Sequence, residues 1–151
     1  MEALATKYRP RTFKDVVCQD NIKKVLTNQL DTGEVKQAYL FCGSAGTGKT
    51  TSARIFANEV NGGKGKPIEI DGASNNGVDN IRNIIDDCRM KSLDSKYKVY
   101  IIDEVHMLSI GAFNGWCSRC PIKRIQQYLD DDITVTCEQA YIILQLLKEG
   151  K

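Results

Sequence analysis

One histidine, one tryptophan and three prolines are all that 151 residues contain of these types, and aromatic residues make up only 7% of the chain. So little proline, with 42% hydrophobic residues spread along the length, excludes collagen-like, low-complexity and disordered structure. No sign of charge dominates, since 21 Lys+Arg face 19 Asp+Glu for a net +2. Bulk charge therefore does not point to a nucleic-acid or membrane partner, and any polyanion must be met by local groups. No apolar run approaches the ~18 residues of a membrane span, and the start, Met1 to Pro10, has no signal-like apolar core. The expectation is a cytoplasmic chain without membrane contact, of a length that suits one compact domain.

Six cysteines (Cys18, Cys42, Cys88, Cys117, Cys120 and Cys137) are scattered. Cys18 and Cys42 lie in or beside apolar runs, where a reduced thiol acts as a small hydrophobe. Only Cys117-Ser-Arg-Cys120 has ligand spacing, and no second such pair or histidine pair completes a zinc site, so free thiols are expected and zinc is not.

Hydrophobic periodicity lays out alternating elements. Ile22, Val25, Leu26 and Leu30 mark a helix over Asp20 to Asp31, with Asp20 as N-cap and Gly33 just past its end. Ala38 to Cys42 reads as a short buried strand, and a helix is expected from Thr51 to about Asn61. Asn61 to Pro67 is a loop and Ile68 to Asp71 a brief strand, after which Val78, Ile81, Ile84, Ile85 and Cys88 form a second helix face. Lys98 to Ile102 is a buried-type strand running into Asp103-Glu104. Strand and helix in alternation imply an α/β fold whose parallel sheet carries helices on both faces.

Between the first strand and its helix lies Gly43-Ser-Ala-Gly-Thr-Gly-Lys-Thr50, which fits G-x-x-x-x-G-K-T at every fixed position. Gly43, Gly46 and Gly48 let backbone N–H groups turn inward around phosphate oxygens, and the helix N-terminus adds partial positive charge. The loop residues Ser44, Ala45 and Thr47, with Thr51 behind it, complete the cradle. Lys49 would neutralise the β and γ phosphates of ATP, and the Thr50 hydroxyl would bind Mg²⁺. Asp103 would bind the same Mg²⁺, and Glu104 would orient or deprotonate the attacking water.

Lys7-Tyr-Arg-Pro10, Thr12-Phe13, Asp15-Val-Val17, Ala38 to Gly43, the phosphate loop, Asp71, Ala73-Ser-Asn-Asn-Gly77 and Asp103 to Leu108 together resemble the gamma/tau clamp-loader family of bacterial DNA polymerase III, within the AAA+ class of P-loop NTPases. The likeness runs from about Lys7 to Asn114. It implies an ATPase that works with other clamp-loader subunits to open the sliding clamp and place it on primed DNA. It further implies that Tyr8, Arg9, Pro10 and Val17 lie around the adenine, and that Ser74 and Asn75 occupy the place of a polar residue that restrains the catalytic Glu until DNA arrives. Arg82, on the following helix, could face template phosphates in the same assembly.

Residues 1–114 thus form the expected ATPase core and 115–151 a divergent tail, without the family's helical lid and collar. The family's four-cysteine zinc insertion is replaced by Asn61 to Pro67, and Gly115-Trp-Cys117 breaks the pattern that leads to its sensor strand. Losing that strand would leave the sheet incomplete at its centre. Three readings of the tail stay open. Ser118-Arg-Cys120 resembles the family's later Ser-Arg-Cys segment, making Arg119 a catalytic arginine finger for a neighbouring subunit. In a second reading, compatible with the first, Ile133 to Cys137 fills the central slot with Thr136 as sensor, followed by a helix over Glu138 to Lys148. In the third, the tail is unrelated, and Ile122 to Leu129 and Ala140 to Leu147 pack as amphipathic helices.

The function implied is Mg-ATP hydrolysis in replication, with a non-hydrolysing nucleotide-binding module or clamp-loader fragment as the alternative. A Holliday-junction or initiator-like motor fits less well, because Ala73 to Gly77 and Lys7 to Pro10 point elsewhere.

Overall fold

The computed structural model describes residues 3–36, 38–75, 77–88, 94–104 and 142–148. In chain order these give α1 (Leu4–Lys7), α2 (Asp20–Thr32), β1 (Ala38–Phe41), α3 (Lys49–Val60), β2 (Ile68–Asp71), α4 (Val78–Cys88), β3 (Tyr97–Asp103) and β4 (Ile142–Lys148). The strands form one sheet in the order β1-β4-β3-β2. β2 pairs with β3 in parallel, and β4 lies between β1 and β3, antiparallel to both. β1, β2 and β3 therefore run the same way, as a P-loop sheet requires, and β4 runs against them.

The central slot left by the missing sensor strand is thus filled from the tail, but by a segment read as helix and not by Ile133 to Cys137. The helix expected over Glu138 to Lys148, and the amphipathic helix over Ala140 to Leu147, are overturned across residues 142–148. Ile142-Ile-Leu-Gln-Leu-Leu is a nearly unbroken apolar run, which periodicity cannot divide between helix and buried strand. The unpaired backbone of β1 and β3 decides it, because an inserted strand meets both rows of donors and acceptors at once. Ile133 to Cys137 and Ile122 to Leu129 lie outside the described residues.

β3 organises the core through its period of two. Tyr97, Val99 and Ile101 join Ala53, Ile55, Phe56 and Ala57 of α3, Leu26 of α2 and Phe13 of the N-terminal segment in one buried cluster. On the other face, the hydroxyl of the fully buried Tyr100 donates to Asp87 Oδ2 of α4 at 2.6 Å, and Lys98 Nζ reaches the same carboxylate at 3.0 Å. These two partners, the tyrosine first, hold the Asp87 carboxyl below the usual carboxylate range. Helices therefore cover both faces, α3 on one and α4 on the other.

Several boundaries move. Cys18 and Gln19 both take left-handed backbone, φ 65° and 59°, so the chain turns before Asp20 and Gln19 becomes the flanking residue of α2. Asp20 does not cap the helix. It sits in the first turn and pairs with Lys23 at 2.9 Å, an acid where the helix dipole favours one. Gly33 ends the helix in left-handed conformation, φ 72°, as expected. Of the apolar stripe, Leu26 is buried and Leu30 packs on the core, while Ile22 and Val25 stay 45% and 57% exposed. Cys18 and Cys42 carry free thiols but are exposed, not packed as small hydrophobes.

Two polar links fix α3 against the sheet. Arg54 makes a two-pronged pair with Glu69 of β2, Nε to Oε1 at 2.6 Å and Nη2 to Oε2 at 2.7 Å. At the far end, the Asn61 carboxamide meets both backbone groups of Tyr97, accepting from its N–H and donating to its carbonyl, each at 2.9 Å. Asn61→Ala leaves the partly buried Tyr97 N–H unmet, while the Tyr97 carbonyl keeps the Ser95 hydroxyl at 2.9 Å, so a loss of about 1–2 kcal/mol is expected, read as a lower urea midpoint at unchanged slope.

Candidate nucleotide site

The phosphate loop hangs from the end of β1, and α3 begins within it. Gly46 and Gly48 sit at φ 76° and 82°, and an added Cβ would meet nothing within 4 Å at either. It is backbone conformation, not space, that requires glycine at these two positions. The left-handed turn at Gly48 lets α3 start at Lys49, two residues earlier than expected, so the first-turn N–H groups open toward the loop. Lys49 Nζ donates to the carbonyl of Gly43 at 2.8 Å and of Ser44 at 2.5 Å, with Thr47 Oγ1 at 3.4 Å. Thr47 Oγ1 in turn donates to the Ser44 carbonyl at 2.8 Å. The ammonium thus lies along the loop, held by weak neutral acceptors that a phosphate oxygen would outcompete.

Across the sheet, Thr50 Oγ1 donates to Asp103 Oδ2 at 3.3 Å. β1 and β3 are separated by β4, so loop and acid start about 9.5 Å apart, and the first turn of α3 spans the interval. The other carboxylate oxygen, Asp103 Oδ1, accepts the Glu104 N–H at 3.0 Å, and Glu104 takes left-handed backbone at φ 53°. A hydroxyl and one carboxylate facing each other suit Mg²⁺, which keeps most of its waters and needs few protein ligands. Among the described residues no group of three or more His, Cys, Asp or Glu could hold a metal.

The N-terminal segment lies partly against α3. Arg9 and Pro10 line a cleft of about 360 Å³ with Thr51, Arg54, Ile55 and Asn58, on the flank of α3. Tyr8 and Val17 are 73% and 84% exposed and do not line it. Ser74 and Asn75 are bonded to Asp71: Ser74 Oγ donates to its carboxylate at 2.9 Å and Asn75 Nδ2 to its carbonyl at 3.0 Å. Arg82 is exposed and makes a 3.5 Å pair with Asp79 on its own helix. Arg119, Cys117 and Cys120 lie outside the described residues.

A larger cavity, about 700 Å³, opens beside the phosphate loop. Ile22 and Val25 of α2, Tyr39 and Phe41 of β1, and Ser44 and Lys49 line it. Sequence reasoning placed the two helix residues on an apolar helix face and missed this space. The anchoring role of Asp71 was missed as well, although Asp followed three residues later by Ser is an ordinary signal for a side-chain-closed turn.

Comparison with known proteins agrees with this geometry. The model of the ATPase family associated with various cellular activities (AAA) matches residues 39–127. DNA polymerase III subunit tau of Bacillus subtilis is 48% identical over 135 positions, covering 76% of this chain and 24% of the relative. The tau/gamma subunit of Haemophilus influenzae is 41% identical and the tau subunit of Escherichia coli 39%, each over 76% of this chain and 20% and 21% of the relative. The chain thus spans about a fifth to a quarter of the length of these relatives. No helix among the described residues is long and apolar enough to cross a membrane.

Proposed function

Because the chain belongs to the AAA family of ATPases, we propose that it is a Mg-ATP-binding core of the clamp-loader type, acting in DNA replication beside other clamp-loader subunits, the sliding clamp and primed DNA. The observation that carries this is the 3.3 Å approach of Thr50 Oγ1 to Asp103 Oδ2, with the Lys49 ammonium lying along the same loop. Backbone N–H groups from Gly43 through Thr51 hold the phosphates, and Lys49 exchanges its loop carbonyls for phosphate oxygens. Thr50 and Asp103 would hold Mg²⁺, which would supply neutralisation of charge on the β and γ phosphates. Glu104 follows Asp103 at the strand end and takes the proton of the water that attacks the γ-phosphorus. The bond to the β-phosphate oxygen breaks, giving ADP and phosphate. Arg9 and Pro10 bound the purine side, in the cleft beside Thr51; Tyr8 and Val17 would have to fold over the base. Arg119 acts on a neighbour's nucleotide.

A second reading, binding with little turnover, is favoured by the strand in the central slot. The resemblance calls for a polar sensor where that strand meets the site. In the antiparallel β4 the residues at that end are Ile142, opposite Phe41, and Ile143, opposite Ile102.

Calorimetric titration with a slowly hydrolysed ATP analogue tests the proposal. Saturable binding near one per chain, tighter with Mg²⁺, is expected, and a folded protein that binds none overturns it. ATP turnover in the same preparation separates the two readings.

A further inference from the structure

We infer that Asp71 is a positioning residue for the magnesium-binding acid, an inference that rests on the nucleotide-binding reading. The register of the parallel pair places Asp71 directly beside Asp103, at the ends of β2 and β3. From there the chain has to turn without releasing its last ladder bond, and Asp71 closes that turn with its own atoms. Its Oδ1 accepts the Ala73 N–H at 2.9 Å and its Oδ2 the Ser74 hydroxyl at 2.9 Å. Its carbonyl accepts both the backbone N–H and the side-chain amide of Asn75, each at 3.0 Å. Four donors from three successive residues converge on one.

Inside this turn sits Gly72, buried, whose N–H donates to the Asp103 carbonyl at 2.8 Å. The approach is close enough that a Cβ on Gly72 would stand 2.6 Å from the Glu104 carbonyl oxygen and 2.9 Å from that of Asp103. The turn therefore bears on the peptide that joins the two acids. That peptide is held in turn by Asp103 Oδ1, which accepts the Glu104 N–H at 3.0 Å and leaves Oδ2 aimed at Thr50. Bonds run without a break from the Asp71 carboxylate, through the turn and Gly72, to the oxygen that meets magnesium. The Asp71 carboxylate oxygens are themselves occupied by Ala73 and Ser74, so the residue acts through Asp103.

The distinction between holding the turn and supplying charge is testable. Asparagine keeps an oxygen for the Ala73 N–H and offers an amide to the Ser74 hydroxyl, whereas alanine offers neither. Affinity for the slowly hydrolysed analogue is measured with and without Mg²⁺ in wild type, Asp71→Ala and Asp71→Asn, together with hydrogen exchange at the Gly72 amide. In Asp71→Ala the magnesium-dependent gain in affinity should fall about tenfold and Gly72 exchange rise about tenfold, with magnesium-free affinity within about twofold. Asp71→Asn should restore both to within about twofold. Should Asp71→Ala fold poorly, Ser74→Ala removes one of the four bonds and should move both readouts the same way by about twofold. An unchanged Gly72 amide or magnesium gain in Asp71→Ala overturns the inference, as does an Asp71→Asn as impaired as the alanine variant. A wild type that binds no analogue at all overturns the nucleotide reading instead, and the exchange measurement still stands apart from it.

Discussion

Lys49→Ala is expected to weaken binding of the Mg²⁺-loaded ATP analogue by about a hundredfold while leaving the fold in place. The ammonium lies half-buried at the start of α3, and its hydrogen bonds go to the loop carbonyls of Gly43 and Ser44. Trading those neutral acceptors for phosphate oxygens makes charge-assisted bonds worth about 1.5–3 kcal/mol each. Losing about 3 kcal/mol is roughly a hundredfold in affinity. The same reasoning says why stability should barely move. Of the two carbonyls that lose the ammonium, Ser44's is exposed and Gly43's half-buried, and both turn to water, so the thermal midpoint should shift by no more than a few degrees. Calorimetry with the analogue and a melting curve decide the matter. A variant that binds within threefold of wild type would mean that the loop does not hold phosphate as its geometry suggests.

What could be read in the sequence is what is local in the sequence. Gly43 to Thr50 is legible because eight consecutive residues carry the whole requirement, and the structure adds only that Gly46 and Gly48 need their φ rather than their small size. Ile68 to Asp71 is found with the same bounds, a run in which two isoleucines alternate with acids, although only Ile70 is buried. β3 is legible as a strand from its unbroken apolar run. The departures occur where a residue's environment depends on a distant partner. Ile22 and Val25 have the spacing of core residues, yet nothing among the described elements covers them fully, and they line the cavity beside the loop. Tyr8 and Val17 belong to the resemblance but stand exposed, away from the cleft that Arg9 and Pro10 line, in an N-terminal segment whose anchor in the core is Phe13. Cys18 enters a left-handed turn that no apolar pattern announces. Largest of all is β4, expected as helix, which the two unpaired edges of the sheet draw out as a strand.

That choice has a consequence for the site. The phosphate loop follows β1 and the acids end β3, and these strands touch only through β4. The distance from Thr50 to Asp103 is therefore set by a strand contributed from the far end of the chain. Leu144 lies at its middle, paired with Tyr39 on one side and Ile101 on the other. A proline there cannot donate to the ladder, leaves a buried acceptor unmet and crowds a neighbouring strand, so Leu144→Pro should cost about 3 kcal/mol or more. Lys148 pairs with Tyr97 alone, beyond the end of β1, and Lys148→Pro should cost no more than about 1 kcal/mol. Urea unfolding followed by circular dichroism measures both. Loss of analogue binding should accompany the first substitution and not the second, because only the first separates the strand that carries the loop from the strand that carries the acid. Equal and small effects of the two prolines would mean that residues 142–148 do not bridge β1 and β3, and that the halves of the site are held together by the first turn of α3 alone.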